Sequence, residues 1–92
     1  MLYPFMTLDD QTEIVHSESY QDNGKECVRV EIEKPVYGGF ASAECILPDY
    51  IWKSVNGFEE NEIQKYQELI ESMAHIIIRL AREGGFDIAS SF

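Results

Sequence analysis

The feature that most constrains this chain is a long amphipathic helix near its C-terminus. Segment 59–83 begins with an acidic cluster, which favours the positive end of a helix dipole, and Gly84 and Gly85 follow it as a typical helix stop. A helix of about 25 residues is about 37 Å long, whereas a strand of about six residues spans about 20 Å. The helix is therefore longer than a sheet of ordinary strands.

The helix also carries an apolar stripe that is too wide for one sheet to cover. Its apolar positions recur at spacings of three and four residues, as on a packed helix face. They are Ile63, Tyr66, Ile70, Met73, Ile77 and Leu80. Ile76, Ile77 and Ile78 are consecutive, and three neighbours span about 200° of the circumference. Burying one isoleucine is worth about 1.5–3 kcal/mol, so we expect a second covering surface.

Two surfaces are candidates for that cover. The tail, residues 84–92, could fold back and place Phe86, Ile88 and Phe92 against the helix. Alternatively, two copies of the chain pair through their helices around a two-fold axis. We favour the homodimer because helix length and stripe width both point to it, although the two arrangements can coexist. The predicted dimer interface comprises Tyr66, Leu69, Met73, Ile76, Ile77 and Leu80.

Alternation of apolar and polar residues predicts a sheet before the helix. The four predicted strands are at about 2–8, 12–20, 25–34 and 40–47. The third is the clearest, since Val28, Val30 and Ile32 alternate with charged residues. Before it, Asn23-Gly24 is typical of a two-residue type I′ turn, because both residues tolerate a positive φ.

The turns predict which residues are opposite one another. Counting back from the Asn-Gly turn pairs His16 with Glu31, whereas a four-residue loop at 35–38 pairs Val30 with Ala43. One face then carries the apolar side chains Val15, Val28, Val30, Ile32, Ala41, Ala43, Cys45 and Leu47, with Ser17 among them. The other face has a charged centre and an apolar fringe. That fringe, a candidate second interaction patch, comprises Tyr3, Phe5, Ile14 and Phe40.

These elements predict one α+β domain over residues 1–92. A four-stranded antiparallel meander is followed by one long C-terminal helix, which packs on one face of the sheet. Residues 49–57 are predicted to connect the sheet to the helix, with Tyr50 and Trp52 packed beneath the connection. The order of the outer strands is left open, because the first two segments are the least periodic.

The charge of the chain limits its partners. The net charge is −10, with 17 acidic and 7 basic residues. Such a surface disfavours direct binding to nucleic acid, which needs a basic footprint, and binding to an anionic membrane. It permits a basic protein partner. No secretory signal or apolar membrane span is visible, so we expect a cytoplasmic protein.

No residue pattern indicates a cofactor, a metal site or a catalytic residue. Glu68, Glu71 and His75 do not have the spacing of known helical metal sites. The predicted His16–Glu31 pair is the one candidate for acid–base chemistry. Cys45 is expected in the core and Cys27 on the opposite face, partly exposed, which excludes a disulfide between them.

Three functional hypotheses remain. The first is a non-catalytic protein-interaction module that is homodimeric through its C-terminal helix. The second is an acidic neutraliser of a basic partner, such as an antitoxin-like inhibitor or a nucleic-acid mimic. The third is an enzyme of unassigned chemistry at His16 and Glu31. The sequence names neither the partner nor the biological process.

Overall fold

The computed structural model describes residues 1–84 and confirms the α+β class, with one antiparallel sheet followed by one C-terminal helix. The sheet has six strands, where the sequence predicted four. The strands are β1 (Leu2–Thr7), β2 (Glu13–Ser17), β3 (Tyr20–Asp22), β4 (Lys25–Val36), β5 (Gly39–Leu47) and β6 (Ile51–Asn56), and the helix is α1 (Glu60–Glu83). Their order across the sheet is β1-β2-β4-β5-β6, and β3 pairs with β4.

Strand β6 replaces the predicted connection. Tyr50 adopts a left-handed backbone, with φ 57°, and the chain then turns back to pair antiparallel with β5. Within β6, Ser54 is also left-handed, with φ 52°, and the register shifts there by one residue. This bulge interrupts the alternation of side chains, so a simple period of two does not reveal the strand.

The second predicted strand is split into β2 and β3. The Asn23-Gly24 turn is confirmed, because both residues have positive φ and Asp22 is opposite Lys25. The pairs His16–Val30 and Tyr20–Cys27, however, are four residues apart along the segment from β2 to β3, whereas they are three residues apart along β4. This bulge shifts the register of β2 by one residue, which moves its side chains to the opposite face.

The predicted faces of β2 are therefore wrong. Val15 is opposite Glu31, so the predicted His16–Glu31 pair does not form. Ile14 and His16 are buried beneath the helix, whereas Val15 is half-buried on the other face. A strand prediction that counts back from one turn assumes an unbroken ladder, and a bulge invalidates it.

The turn between β4 and β5 is shorter than predicted. It contains two residues, Tyr37 and Gly38, instead of four, and Val30 is opposite Cys45 instead of Ala43. A shift of two residues preserves the face of every side chain. The predicted inner face of β4 and β5 is therefore confirmed, and each member is at most 2% exposed: Val28, Val30, Ile32, Ala41, Ala43, Cys45 and Leu47.

Helix α1 has the length and the ends that the sequence predicts. Glu59 is its N-cap, and the Glu59 N–H donates to Glu62 Oε1 at 3.0 Å. Gly84 ends the helix with φ 85°, a conformation that a residue with a Cβ rarely adopts. The acidic residues of the first turn and Arg82 in the last turn both interact favourably with the helix dipole.

The helix packs on the inner face of the sheet and is held at both ends. Tyr66, Ile70, Ile77, Leu80 and Ala81 are its buried residues. Near the N-terminus, the hydroxyls of Thr12 and Tyr66 are 3.4 Å apart. At the other end, the Ser19 N–H donates to the carbonyl of Ala81 at 3.2 Å.

The three consecutive isoleucines have three different environments. Ile77 is 1% exposed in the centre of the core. Ile78 is half-buried and packs against the core from one flank, while Ile76 is half-buried on the opposite flank. Strand β6 adds cover on the Ile78 side of the helix, because Trp52 packs against the core and its Nε1–H donates to Gln67 Oε1 at 2.9 Å. The predicted cover by Phe86, Ile88 and Phe92 lies outside the described residues.

An ion pair fastens the end of the helix to β4. Arg82 donates to Glu26 through Nε at 2.8 Å and through Nη2 at 2.5 Å, and the Ser19 hydroxyl donates to the same carboxylate at 2.6 Å. The hydrogen bond from Arg82, followed by the one from Ser19, lowers the pKa of Glu26 to about 2. A carboxylate held in this way stabilises the fold only while it is ionised.

The new register of β2 predicts a contrast between two neighbouring residues. Ile14→Ala should reduce the free energy of unfolding by about 2–5 kcal/mol, as large-to-small core substitutions do. Val15→Ala, on the other face, should reduce it by less than about 1 kcal/mol. Urea unfolding of both variants gives the comparison. A larger loss for Val15→Ala would restore the register predicted from the sequence.

The ion pair predicts a dependence of stability on pH. The folded pKa of Glu26 is below its ordinary value of 4.5, so its contribution is present above pH 4.5 and is lost as the pH falls towards 2. Glu26→Gln should therefore destabilise the protein at pH 6, and its difference from the wild type should shrink below pH 4.5.

Thermal unfolding between pH 6 and 2.5 measures this difference. The control is the same substitution in an Arg82→Gln background, where the pH-dependent difference should be much smaller. Added salt should reduce the difference as well, since the pair is at the surface. An equal pH dependence in both backgrounds would contradict the role of Arg82.

Candidate functional site

The outer face of the sheet, opposite α1, is left uncovered by residues 1–84. Helix α1 packs on the inner face, and no other helix is formed within the described residues. On the outer face, side chains of β2, β4 and β5 alternate with the buried ones. Charged residues therefore concentrate there.

Four glutamates form two directly opposed pairs on this face. Glu13 of β2 is opposite Glu33 of β4, and Glu31 of β4 is opposite Glu44 of β5. We call Glu13, Glu31, Glu33 and Glu44 the acidic quartet. Like charges directly opposite one another in a sheet are destabilising. The arrangement therefore reduces the stability of the isolated chain.

Cations of the chain compensate only part of the acidic quartet. Arg29 Nε donates to Glu31 Oε2 at 2.8 Å, and Lys53 of β6 is opposite Glu44. Glu13 and Glu33 are exposed, and neither forms an ion pair within residues 1–84. The end of the face that they occupy is thus the least compensated.

The remaining cations are largely engaged elsewhere. Lys25 pairs with Asp49 at 2.7 Å, and Arg82 pairs with Glu26. Lys34 Nζ is 3.6 Å from a carboxylate oxygen of Glu62. With Arg29, four of the 7 basic residues are already in ion pairs within the chain. Within residues 1–84, the basic residues that form no ion pair are Lys53, Lys65 and Arg79.

The acidic quartet surrounds a shallow depression of about 350 Å³. Leu2 and Val15 line its apolar side, and Ser42 and Asn56 supply neutral polar groups. Phe40, Ser42 and Glu44 are every second residue of β5, so Phe40 lies on the same face. Its side chain is 64% exposed. The surface therefore combines an acidic centre with an apolar margin, which suits a partner that is basic and partly apolar.

The residues predicted to form a dimer interface divide into two groups. Tyr66, Ile77 and Leu80 are at most 9% exposed within a single chain, so they belong to its own core. Leu69, Met73 and Ile76 are half-buried along one flank of the helix. Only the second group presents surface to another molecule.

The predicted second patch is not contiguous. Ile14 is 2% exposed in the core, because the β2 bulge turns it inward. Tyr3 and Phe5 are half-buried beside the ring of His16, and the Tyr3 hydroxyl donates to Glu18 at 3.1 Å. Phe40 alone is on the outer face. The sequence did contain a signal for the acidic quartet, namely alternating glutamates on neighbouring strands.

His16 is a structural residue in this arrangement. It is fully buried, its Nδ1–H donates to the carbonyl of Ser17 at 2.8 Å, and its Nε2 has no hydrogen-bond partner within residues 1–84. Glu31 is on the opposite face of the sheet, so the two residues cannot exchange a proton directly. The geometry therefore does not support acid–base chemistry at His16 and Glu31.

The cysteines and carboxylates offer no evident reactive centre in the described part. Both cysteines are free and buried, which corrects the expected partial exposure of Cys27. Desolvation raises the pKa of Cys45 to about 12, so this thiol stays protonated at neutral pH. Within residues 1–84, no group of three or more His, Cys, Asp or Glu is arranged to hold a metal ion.

Comparisons with known proteins identify no relative. No protein-family model matches the chain, and neither a curated protein nor a solved structure matches it. Within residues 1–84, no helix is both long and apolar enough to cross a membrane.

Proposed function

We propose that this chain is a non-catalytic protein-binding module whose outer sheet face holds a positively charged protein partner. The observation that carries the proposal is the pair of glutamate oppositions, Glu13–Glu33 and Glu31–Glu44, on a face that residues 1–84 leave uncovered. Groups that destabilise the free chain are expected where binding relieves the conflict. Lysine or arginine side chains of a partner would do so by seating between the carboxylates.

The charge of the face argues against other occupants. A second copy would bring another acidic quartet against the first, which repulsion disfavours. Nucleic acid and anionic lipid are negatively charged and are disfavoured for the same reason. A basic protein surface with some apolar area is the complementary choice. It includes a nucleic-acid-binding protein, which the chain would then block by occupying its basic surface.

A charge-matched pair of variants tests this proposal. One variant changes the acidic quartet to glutamine, and the other changes four exposed helix residues, Glu60, Glu68, Glu71 and Glu83, in the same way. The wild type, tagged and returned to its native cells, retrieves the partner, and the purified partner is then used for kinetics. We expect the quartet variant to lose about tenfold or more in association rate at low salt, since opposite charges accelerate encounter.

The helix variant should retain most of the association rate, although its net charge is the same. The wild-type rate should fall steeply with salt, and the quartet variant should show a flatter dependence. Equal losses in both variants would mean that net charge alone matters, and the face would then have no specific role. Folding is checked by thermal unfolding, where the quartet variant should be as stable as the wild type or more stable by roughly 0.2–1 kcal/mol for each relieved pair.

A second candidate function is self-association, and one observation favours it. Leu69, Met73 and Ile76 are half-buried along one flank of α1, so they keep apolar surface in contact with solvent. Residues seven positions apart, such as Leu69 and Ile76, are on the same side of a helix. This flank is separate from the outer face, so a homodimer through the helices would leave the acidic quartet accessible to a basic partner.

Self-association predicts a change in solution mass. The wild type should have the mass of a dimer by light scattering behind a sizing column, and Ile76→Glu should give a folded monomer, because a charge in an apolar interface is costly. Gln64→Glu, at an exposed position on the other side of the helix, is the matched control and should remain dimeric. A monomeric wild type would refute self-association and leave the protein-binding proposal intact.

A further inference from the structure

The hairpin formed by β4 and β5 extends beyond the rest of the sheet. Pairing of β2 with β4 ends at Glu33, and pairing of β6 with β5 ends at Ser42. The last three pairs of the hairpin, from Lys34–Ala41 to Val36–Gly39, therefore have no strand on either side within the described sheet. We call residues 35–40 the arm.

The arm is apolar and exposed throughout. Tyr37 is fully exposed, Phe40 is 64% exposed and Val36 is 44% exposed. Within residues 1–84, the Tyr37 hydroxyl makes no hydrogen bond. Two exposed aromatic side chains at the tip of one hairpin are unusual, because aromatic side chains gain much from burial.

The backbone of the arm is constrained before any partner arrives. Gly38 has φ 86°, which lets a two-residue turn close the hairpin, and Pro35 has one fixed dihedral angle. At the base, Ala41 is covered by Gly57, where an added Cβ would be 3.0 Å from the Ala41 Cβ. An ordered loop that presents aromatic side chains loses little entropy on binding.

We propose that the arm inserts Tyr37 and Phe40 into an apolar cleft on the same basic partner that the acidic quartet holds. This inference rests on the proposed function, and the arm gives that partner a second, apolar contact. Phe40 is on the outer face, opposite Pro35. Glu33 is two residues before Pro35 on the same face, and it is one of the two least compensated glutamates. Apolar and acidic surface are thus continuous, so one partner with an apolar cleft and a basic rim can cover both.

Other ways to cover the arm fit less well. Strand addition along β4 meets Pro35, which has no N–H to donate. A second copy has the same acidic surface next to the arm, and insertion into an anionic bilayer would bring Glu33 and Glu13 against negative headgroups. A protein cleft lined by apolar residues and rimmed by lysine or arginine avoids these conflicts.

The first experiment uses the full chain with the photoreactive residue benzoylphenylalanine in place of Tyr37, irradiated in its native cells. A chain with the same residue in place of Lys65, exposed on the helix, is the control. A third chain carries the photoreactive residue in place of Ser42, beside the acidic quartet. We expect cross-links from positions 37 and 42 to the same protein. No cross-link from position 37, or cross-links to different proteins from the two positions, would overturn the proposal.

The second experiment measures affinity for the purified cross-linked protein. Tyr37→Ser should weaken binding about 30-fold, the effect of removing a hot-spot aromatic side chain, without changing the slope of affinity against salt. Val55→Ser on β6, 41% exposed, should change affinity less than about threefold, since surface positions outside an interface contribute little. An unchanged affinity for Tyr37→Ser would overturn the proposal.

Failure of the arm and failure of the acidic face have different signatures. If Tyr37→Ser weakens binding but the quartet variant neither slows association nor flattens the salt slope, the proposed function fails and the arm acts without it. If only the quartet variant has an effect, the arm proposal fails alone. Two measurements detect the wrong occupant. The proposal would be overturned if the wild type were a dimer that Tyr37→Ser dissociates. It would also be overturned if the wild type bound phosphatidylcholine vesicles and Tyr37→Ser abolished that binding.

Discussion

Burial of the apolar stripe of α1 against one face of the sheet is the interaction on which the rest of the structure depends. Three strands, β2, β4 and β5, contribute residues to the core beneath the helix. A 24-residue helix on one face fixes which side of every strand is inner. The outer side is then left to charged residues, and the chain has no further described element with which to cover it.

The same packing determines how the charges are distributed. Two cations hold the helix to the rest of the fold: Arg82 fastens the helix end to β4, and Lys34 approaches Glu62 at the beginning of the helix. Cations used in this way are not available to neutralise the outer face. The acidic quartet is therefore left largely uncompensated, and it gives the face the electrostatic character on which the proposed partner depends.

Much of the fold follows from local pattern. The ends of α1, the Asn23-Gly24 turn and the inner face of β4 and β5 were all predicted, because each depends on residues within a few positions of one another. Two of the errors arose at bulges. One extra residue between β2 and β3 placed the side chains of Ile14 and His16 on the face opposite to the predicted one. A bulge at Ser54 interrupted the alternation by which β6 could have been predicted. A bulge has no periodic signature, since it is a break in the period.

The sequence by itself determined the α+β class, the long C-terminal helix, the strong negative charge and the excess of apolar residues on that helix. Only the tertiary structure decided which glutamates oppose one another, which part of the helix stripe stays exposed and that the tip of the β4–β5 hairpin extends past its neighbours. The physical reason is range. Helix ends and turns depend on nearby residues, whereas the partners of a strand depend on register, which bulges far apart in the chain can shift.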